Sequence, residues 1–182
     1  GSLPATFYPD DDGLYFLPLG GSGEIGMNLN LYGHRGAWLM VDLGVAFAGE
    51  EMAGVELLVP DPTYIERQRH RLTGLIITHA HEDHMAGLHR LPHAQVHVHH
   101  GDVQAARSWA GMCAALGMPE QNPLSGQLLK AFRKDFFYAP RPDARAYDDG
   151  ALWDLGQARV HAFHMPGHTA GHTVLVEEQE GV

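Results

Sequence analysis

The apolar run Leu75-Ile76-Ile77 passes without a break into Thr78-His79-Ala80-His81-Glu82-Asp83-His84. Such a run reads as a buried strand, and a buried strand has to reach the rim of its sheet before so polar a segment can begin. If the chain leaves the strand extended, His79 and His81 point to one side because side chains alternate with period two, and a turn just after lets Asp83 and His84 address a second point nearby. In a chain with 14 His among 182 residues, the pattern His-x-His-x-Asp-His is expected by chance roughly 0.005 times. Imidazole is the commonest metal ligand, so the cluster reads as a metal site; the plainer alternative is a solvated polar loop. Histidine and carboxylate donors without thiolates are the set of a catalytic rather than a structural zinc site.

Elsewhere the chain is punctuated by short elements. Leu14 to Leu19, Asn28 to Tyr32 and Ala37 to Val41 read as strands, the last two joined as a hairpin through Gly33-His34-Arg35-Gly36. Asp61-Pro62 predicts a helix start, with the helix running from Tyr64 to Arg71. A strand over Gln95 to His99 precedes one helix from near Asp102 to Gly117, with Val103, Ala106, Ala110, Cys113, Ala114 and Leu116 on its apolar face. Val160 to His164 and Thr173 to Val176 read as late strands around the loop Met165 to His172. Strands first, then alternating helices and strands, predict a layered α/β fold. With no internal repeat, one domain over residues 1–182 is expected, residues 1–13 forming an N-terminal extension that opens on a cloning scar, Gly1-Ser2.

Composition removes several function classes. Twelve Lys and Arg against 22 Asp and Glu give a net charge of −10, the wrong sign for binding polyanions over the whole surface. No run approaches the roughly 20 apolar residues of a membrane span, and the first 20 residues lack the basic start and long apolar stretch of a secretory signal, the Gly1-Ser2 scar leaving a removed leader open. A soluble, cytoplasmic protein without a membrane partner is expected. The lone Cys113 excludes an internal disulfide and a multi-thiolate zinc site, fits a reducing compartment, and reads as a small buried apolar residue. Gly21-Ser22-Gly23-Glu24-Ile25-Gly26 has the glycine spacing of a dinucleotide-binding turn, but Met27 to Tyr32 alternates like a strand where that turn must open a helix. A tight glycine loop between strands is the better reading.

Local features remain. Lys130, Arg133, Lys134, Arg141 and Arg145 interleave with Phe132, Phe136, Phe137 and Tyr138, a composition suited to RNA. The plainer account is an amphipathic helix, Leu128 to Phe136, with its aromatics packed inward and its cations solvated. Arg67, Arg69 and Arg71 read as a solvated face, and His97 and His99 as structural residues on one strand face.

His79-Ala80-His81-Glu82-Asp83-His84 resembles the signature of the metallo-β-lactamase superfamily, a two-sheet αββα sandwich with its metal site at one edge of the sheets. Leu19 to Asn28, Val41-Asp42-Leu43-Gly44 and Val59-Pro60-Asp61 resemble, more narrowly, the ribonuclease J branch, a likeness that fades past residue 90. Met165-Pro166-Gly167-His168-Thr169-Ala170-Gly171-His172 resembles the superfamily's third motif, in a form nearer to glyoxalase II and lactonase-type hydrolases. The resemblance implies that His79, His81 and His168 hold one ion and Asp83 and His84 a second. It also implies that Asp83 orients, or takes the proton of, the attacking water. His172 is expected in the loop or around the ligands, and His164 in a strand. The implied cofactor is a pair of divalent ions, zinc first, with manganese or iron also suited to these donors.

The chain departs from the pattern in one respect. The superfamily site is completed by a bridging Asp and a last His beyond the third motif, whereas Glu177, Glu178 and Glu180 are the acidic residues after His172, and no Asp follows Asp154. This is read as a fragment of a longer protein, a sandwich incomplete at its C-terminal side in which Val174 to Val176 is a strand lacking a partner. A divergent, incomplete site is the alternative. The expected activity is hydrolysis with a metal-activated water, on a small ester, thioester or lactone. A ribonuclease J-like phosphodiesterase acting on RNA is the second reading, and a noncatalytic metal-binding module the third. A small-molecule partner is thus expected ahead of RNA, with a homo-oligomer left open.

Overall fold

A computed structural model describes residues 7–22, 27–48, 54 and 57–178. The chain begins with an antiparallel meander of β1 (Tyr15–Gly20), β2 (Leu29–His34) and β3 (Ala37–Val41). Arg35 and Gly36, at φ 46° and 81°, form the two-residue turn whose twist matches a hairpin. A short ribbon of β4 (Ala46–Phe47) and β5 (Leu57–Leu58) follows, then α1 (Thr63–Arg67). Asp61 opens this helix, its carboxylate accepting from the Thr63 N–H at 3.0 Å. The helix ends sooner than its sequence suggests. Gln68 turns inward to accept from Trp38 Nε1 at 3.0 Å, and Arg69–Arg71 continue as a 3-10 turn.

Next come β6 (Leu72–Ile77), α2 (Glu82–Met85), β7 (Val96–His99), α3 (Val103–Arg107), α4 (Trp109–Ala115) and α5 (Ser125–Asp135). The chain closes with β8 (Arg145–Tyr147), β9 (Leu152–Asp154), β10 (Arg159–His164) and β11 (Thr173–Glu177). The main sheet has the order β1-β2-β3-β6-β7-β8, with β3, β6, β7 and β8 parallel, and the second has the order β11-β10-β9, antiparallel throughout. Alternation sorts the core into two. Met40, Leu75 and Ile77 join Met112 and Phe132 on the helical side, while Leu39 and Ile76 meet Trp153, Val160 and Ala162 of the second sheet. Burial on both faces explains why β6 reads as an unbroken apolar run. The result is a mixed α/β sandwich of helices, main sheet and second sheet. Among the described residues no helix covers the outer face of the second sheet, where Leu152, Phe163 and Val174 are exposed.

Several expectations are corrected. The helix read from Asp102 to Gly117 breaks at Ser108, which is extended at φ −154° and ψ 156° and whose Oγ accepts from the Gly111 N–H at 3.0 Å. The break lets α4 fold back on α3 so tightly that a Cβ on Gly111 would lie 1.9 Å from the Gln104 carbonyl oxygen. Val174 to Val176 does have a partner: β11 pairs with β10 from Val160↔Glu177 to His164↔Thr173. The basic and aromatic cluster follows the plainer reading of an amphipathic helix, seen at Ser125–Asp135, except that Phe137 is exposed rather than packed inward. Phe132, Phe136 and Tyr138 are buried, Lys130, Arg133 and Lys134 face solvent, and the Arg141 guanidinium is buried among the carbonyls of Leu88, Leu91 and Ala94, paired with Asp143.

Residues 7–13 are tied to the body, with Phe7 against Tyr15, Asp10 on Arg71 and Asp12 on Arg35. Gly23 to Gly26 and Glu180 lie outside the described residues. Strand β2 starts at Leu29, in agreement with the rejection of a nucleotide-binding helix there. His97 packs on Trp153, His99 stacks on His164 at 4.1 Å, and Cys113 is buried. Among the described residues no helix is long and apolar enough to cross a membrane.

Candidate metal centre

The carboxyl ends of the parallel strands β3, β6 and β7 share one rim of the main sheet, the edge where open α/β sheets place their ligands. From β3 comes Asp42, a buried residue with φ 58°. Its carboxylate accepts from the Thr78 N–H and from Thr78 Oγ1, each at 2.8 Å, which fixes the exit of the chain from β6. The following residues carry His79 and His81 into the rim, and α2 then presents Asp83 and His84. Loop 42–45 holds α2 in place, since Leu43 N–H donates to the His84 carbonyl at 3.2 Å and Val45 N–H to the Asp83 carbonyl at 2.7 Å. Gly44 lies in that contact, and a Cβ there would sit 2.6 Å from the Asp83 carbonyl oxygen.

The second sheet supplies the remaining part of the rim. The loop between β10 and β11 closes on itself through Met165 N–H to the His172 carbonyl at 2.9 Å, and Thr173 N–H donates to the Thr78 carbonyl at 2.9 Å. His168 is thereby carried across to the first cluster. Its ring centroid lies 4.6 Å from that of His79 and 4.7 Å from that of His81, and the His79 and His81 rings are 4.8 Å apart. One ring nitrogen from each of His79, His81 and His168 lies within 4.8 Å of the others. Their burial is graded, from the buried His79 through the half-buried His81 to the exposed His168.

The donor set fits a divalent cation. His79 Nε2 is buried without a hydrogen-bond partner, a costly arrangement for a polar atom unless a ligand completes it. Burial first, then the neighbouring imidazoles of His84, His81, His168 and His172, lower its pKa to about 3. The ring is therefore neutral at physiological pH, the form that binds metal.

His84 differs. Burial opposes its charge, but the hydrogen bond and charge of Asp42, with Asp83 and Glu82 behind them, raise its pKa. Because a carboxylate only accepts, His84 donates through Nδ1 to Asp42 Oδ2 at 3.0 Å, which leaves Nε2 turned toward Asp83 Oδ2 at 4.0 Å. Asp83 and His84 thus form a pair beside the three-histidine group, with the His84 ring 3.9 Å from that of His79. His172 stands behind the group, 5.4 Å from His79, with Nδ1 donating to the Met165 carbonyl at 3.2 Å. His164 ends β10 and donates through Nε2 to the Ala170 carbonyl at 2.8 Å.

Two residues that serve the site were not evident as such in the sequence. Asp42 stands in the Val41-Asp42-Leu43-Gly44 stretch that carries part of the resemblance, but nothing there pointed to Thr78 or His84 as its partners. Asp102 precedes a helix and looks like its cap, yet its side chain caps nothing.

The fold and the site together define an α/β sandwich whose mouth carries three histidines that could hold a metal ion. The model of the metallo-beta-lactamase superfamily matches residues 26–182, and the chain belongs to that superfamily. Ribonuclease J of Sinorhizobium meliloti is 56% identical over 86 residues, which is 44% of this chain and 15% of that protein. Ribonuclease J of Thermus thermophilus is 43% identical over 77 residues, 42% of this chain and 13% of that protein. The chain thus spans a small part of the length of these relatives. Among solved structures, the FEZ-1 metallo-beta-lactamase of Legionella gormanii superposes with a TM-score of 0.59 at 18% identity, covering 97% of this chain and 60% of that one. BJP-1, a subclass B3 metallo-beta-lactamase of Bradyrhizobium japonicum, gives 0.54 at 17% identity over 92% and 55%. At such identities the likeness concerns the fold.

Proposed function

We propose that this chain is a metal-dependent hydrolase of small esters, thioesters or lactones. The observation that carries the reading is the convergence of His168 with His79 and His81, which lie 89 and 87 residues earlier in sequence, around an unpartnered buried nitrogen. These three would hold one divalent ion, and Asp83 with His84 a second, zinc being the first choice for such donors. A bound ion supplies Lewis acidity toward a carbonyl or phosphoryl oxygen and acidifies water. The chain supplies the orientation. Asp42 fixes the His84 ring, and the partly exposed Asp83 carboxylate would accept a proton from water at the rim.

Support for a small substrate comes from a hollow of about 130 Å³ beside His81 and His168, walled by Ala105, Met112, Ala115 and Leu116. It is below the roughly 300–1,000 Å³ of sites that enclose a drug-sized ligand. A wider groove of about 810 Å³ lies around Leu72 and Gln95, at the opposite ends of β6 and β7; His70 and His93 line it, but His79, His81 and His168 do not. The ribonuclease J relatives favour the second reading, cleavage of an RNA phosphodiester.

The two readings separate in one assay of the zinc-loaded chain with a thioester, a lactone and a short 5′-phosphorylated RNA. Turnover of the thioester or the lactone is expected. Cleavage of the RNA alone replaces this proposal with the second reading, and turnover of none of the three leaves a noncatalytic metal-binding module.

A further inference from the structure

We propose that Asp102 is a positioning residue that sets the distance between the two ligand-bearing segments of the metal centre. The inference rests on the metal-site reading above and adds a residue outside the ligand set. Asp102 stands where α3 begins, but no helix amide is bonded to its carboxylate. The two oxygens face the rim instead. Oδ2 accepts from the Ala80 N–H at 3.1 Å and from Thr169 Oγ1 at 2.6 Å, and Oδ1 accepts from the Gly171 N–H at 2.7 Å.

Ala80 is the residue between His79 and His81, and Thr169 follows His168. One buried carboxylate therefore grips both strips of chain from which the three imidazoles project. Backbone approach is close on both sides of it. A Cβ on Gly171 would lie 2.7 Å from Asp102 Cγ, and one on Gly101 would lie 2.9 Å from the Ala170 carbonyl. Bonds of a charged acceptor to several N–H and O–H groups are shorter and stronger than neutral ones, so the carboxylate resists separation of the strips. His84 is oriented independently, by Asp42. Asp102 accordingly governs the three-histidine group and leaves the Asp83–His84 pair alone.

The test titrates Co²⁺ into metal-free wild type, Asp102→Asn and Thr169→Val, reading affinity and the visible absorption of the bound ion, with thermal unfolding of each metal-free chain alongside. Asparagine fills the same space but cannot accept all three bonds. Co²⁺ affinity is expected to fall about 10–100-fold in Asp102→Asn, the range for residues that orient metal ligands, and by less in Thr169→Val, with an altered absorption spectrum in both. A lower melting temperature with wild-type affinity and spectrum overturns the proposal, because a purely structural bond would act that way. If Asp102→Asn does not fold, Thr169→Val decides alone, and wild-type affinity there overturns it equally. Failure of the wild type to bind Co²⁺ counts against the metal centre itself.

Discussion

At His79, burial and the surrounding imidazoles lower the pKa from 6.5 to about 3. Between those values the unfolded chain takes up a proton that the folded chain refuses. The metal-free fold therefore keeps this contribution above pH 6.5 and loses it progressively as the pH falls toward 3. For His84 the sign is reversed. Its raised pKa favours the folded state in acid, and that gain disappears as pH rises through the folded value. Urea unfolding of metal-free wild type and His79→Gln should show the wild type losing more stability than the variant on acidification; parallel curves would contradict the assignment of His79. At the ligands, His81→Ala should lower kcat/KM by more than about 100-fold, beyond the effect of orienting residues, while circular dichroism shows the fold retained. The first group of candidate ligands was legible because His79, Ala80, His81, Glu82, Asp83 and His84 are contiguous. Asp42 and Asp102 were not, since each acts through a backbone or side-chain partner brought near only by folding.

Among elements, β6 and the β2–β3 hairpin announced themselves through a doubly buried apolar run and a period-two pattern. The break at Ser108 did not, because the apolar spacing of Val103, Ala106, Ala110 and Cys113 continues across it while the backbone does not. Strands β8 and β9 escaped notice for a related reason: each has three residues with one buried side chain, Tyr147 or Trp153, too short for any period. The cap at Ser108 is open to test. Ser108→Ala should lower stability by about 1 kcal/mol in urea unfolding, as loss of an N-cap does. The contact at Gly44 bears on function more than on stability. Gly44→Ala pushes on the Asp83 carbonyl, so activity should fall further than the melting temperature suggests, and unaffected turnover would show that α2 tolerates the displacement.

For the molecule as a whole, the site depends on two sheets meeting correctly, because His79 and His81 hang from one and His168 from the other. Trp153 is the largest side chain between them, packed against Tyr147 and His97. Trp153→Ala should destabilise by about 3–5 kcal/mol and weaken metal binding at the same time. A variant that unfolds earlier yet binds metal normally would mean that the loop after β10 holds its position without the sheet beneath it. The layered α/β architecture followed from the order of strands and helices, whereas the pairing of β11 with β10 required the fold. The most direct measurement is anomalous diffraction from crystals of the chain soaked in Zn²⁺. The account requires a peak about 2.0–2.1 Å from a ring nitrogen of each of His79, His81 and His168, and a zinc peak elsewhere with these three rings empty would contradict it.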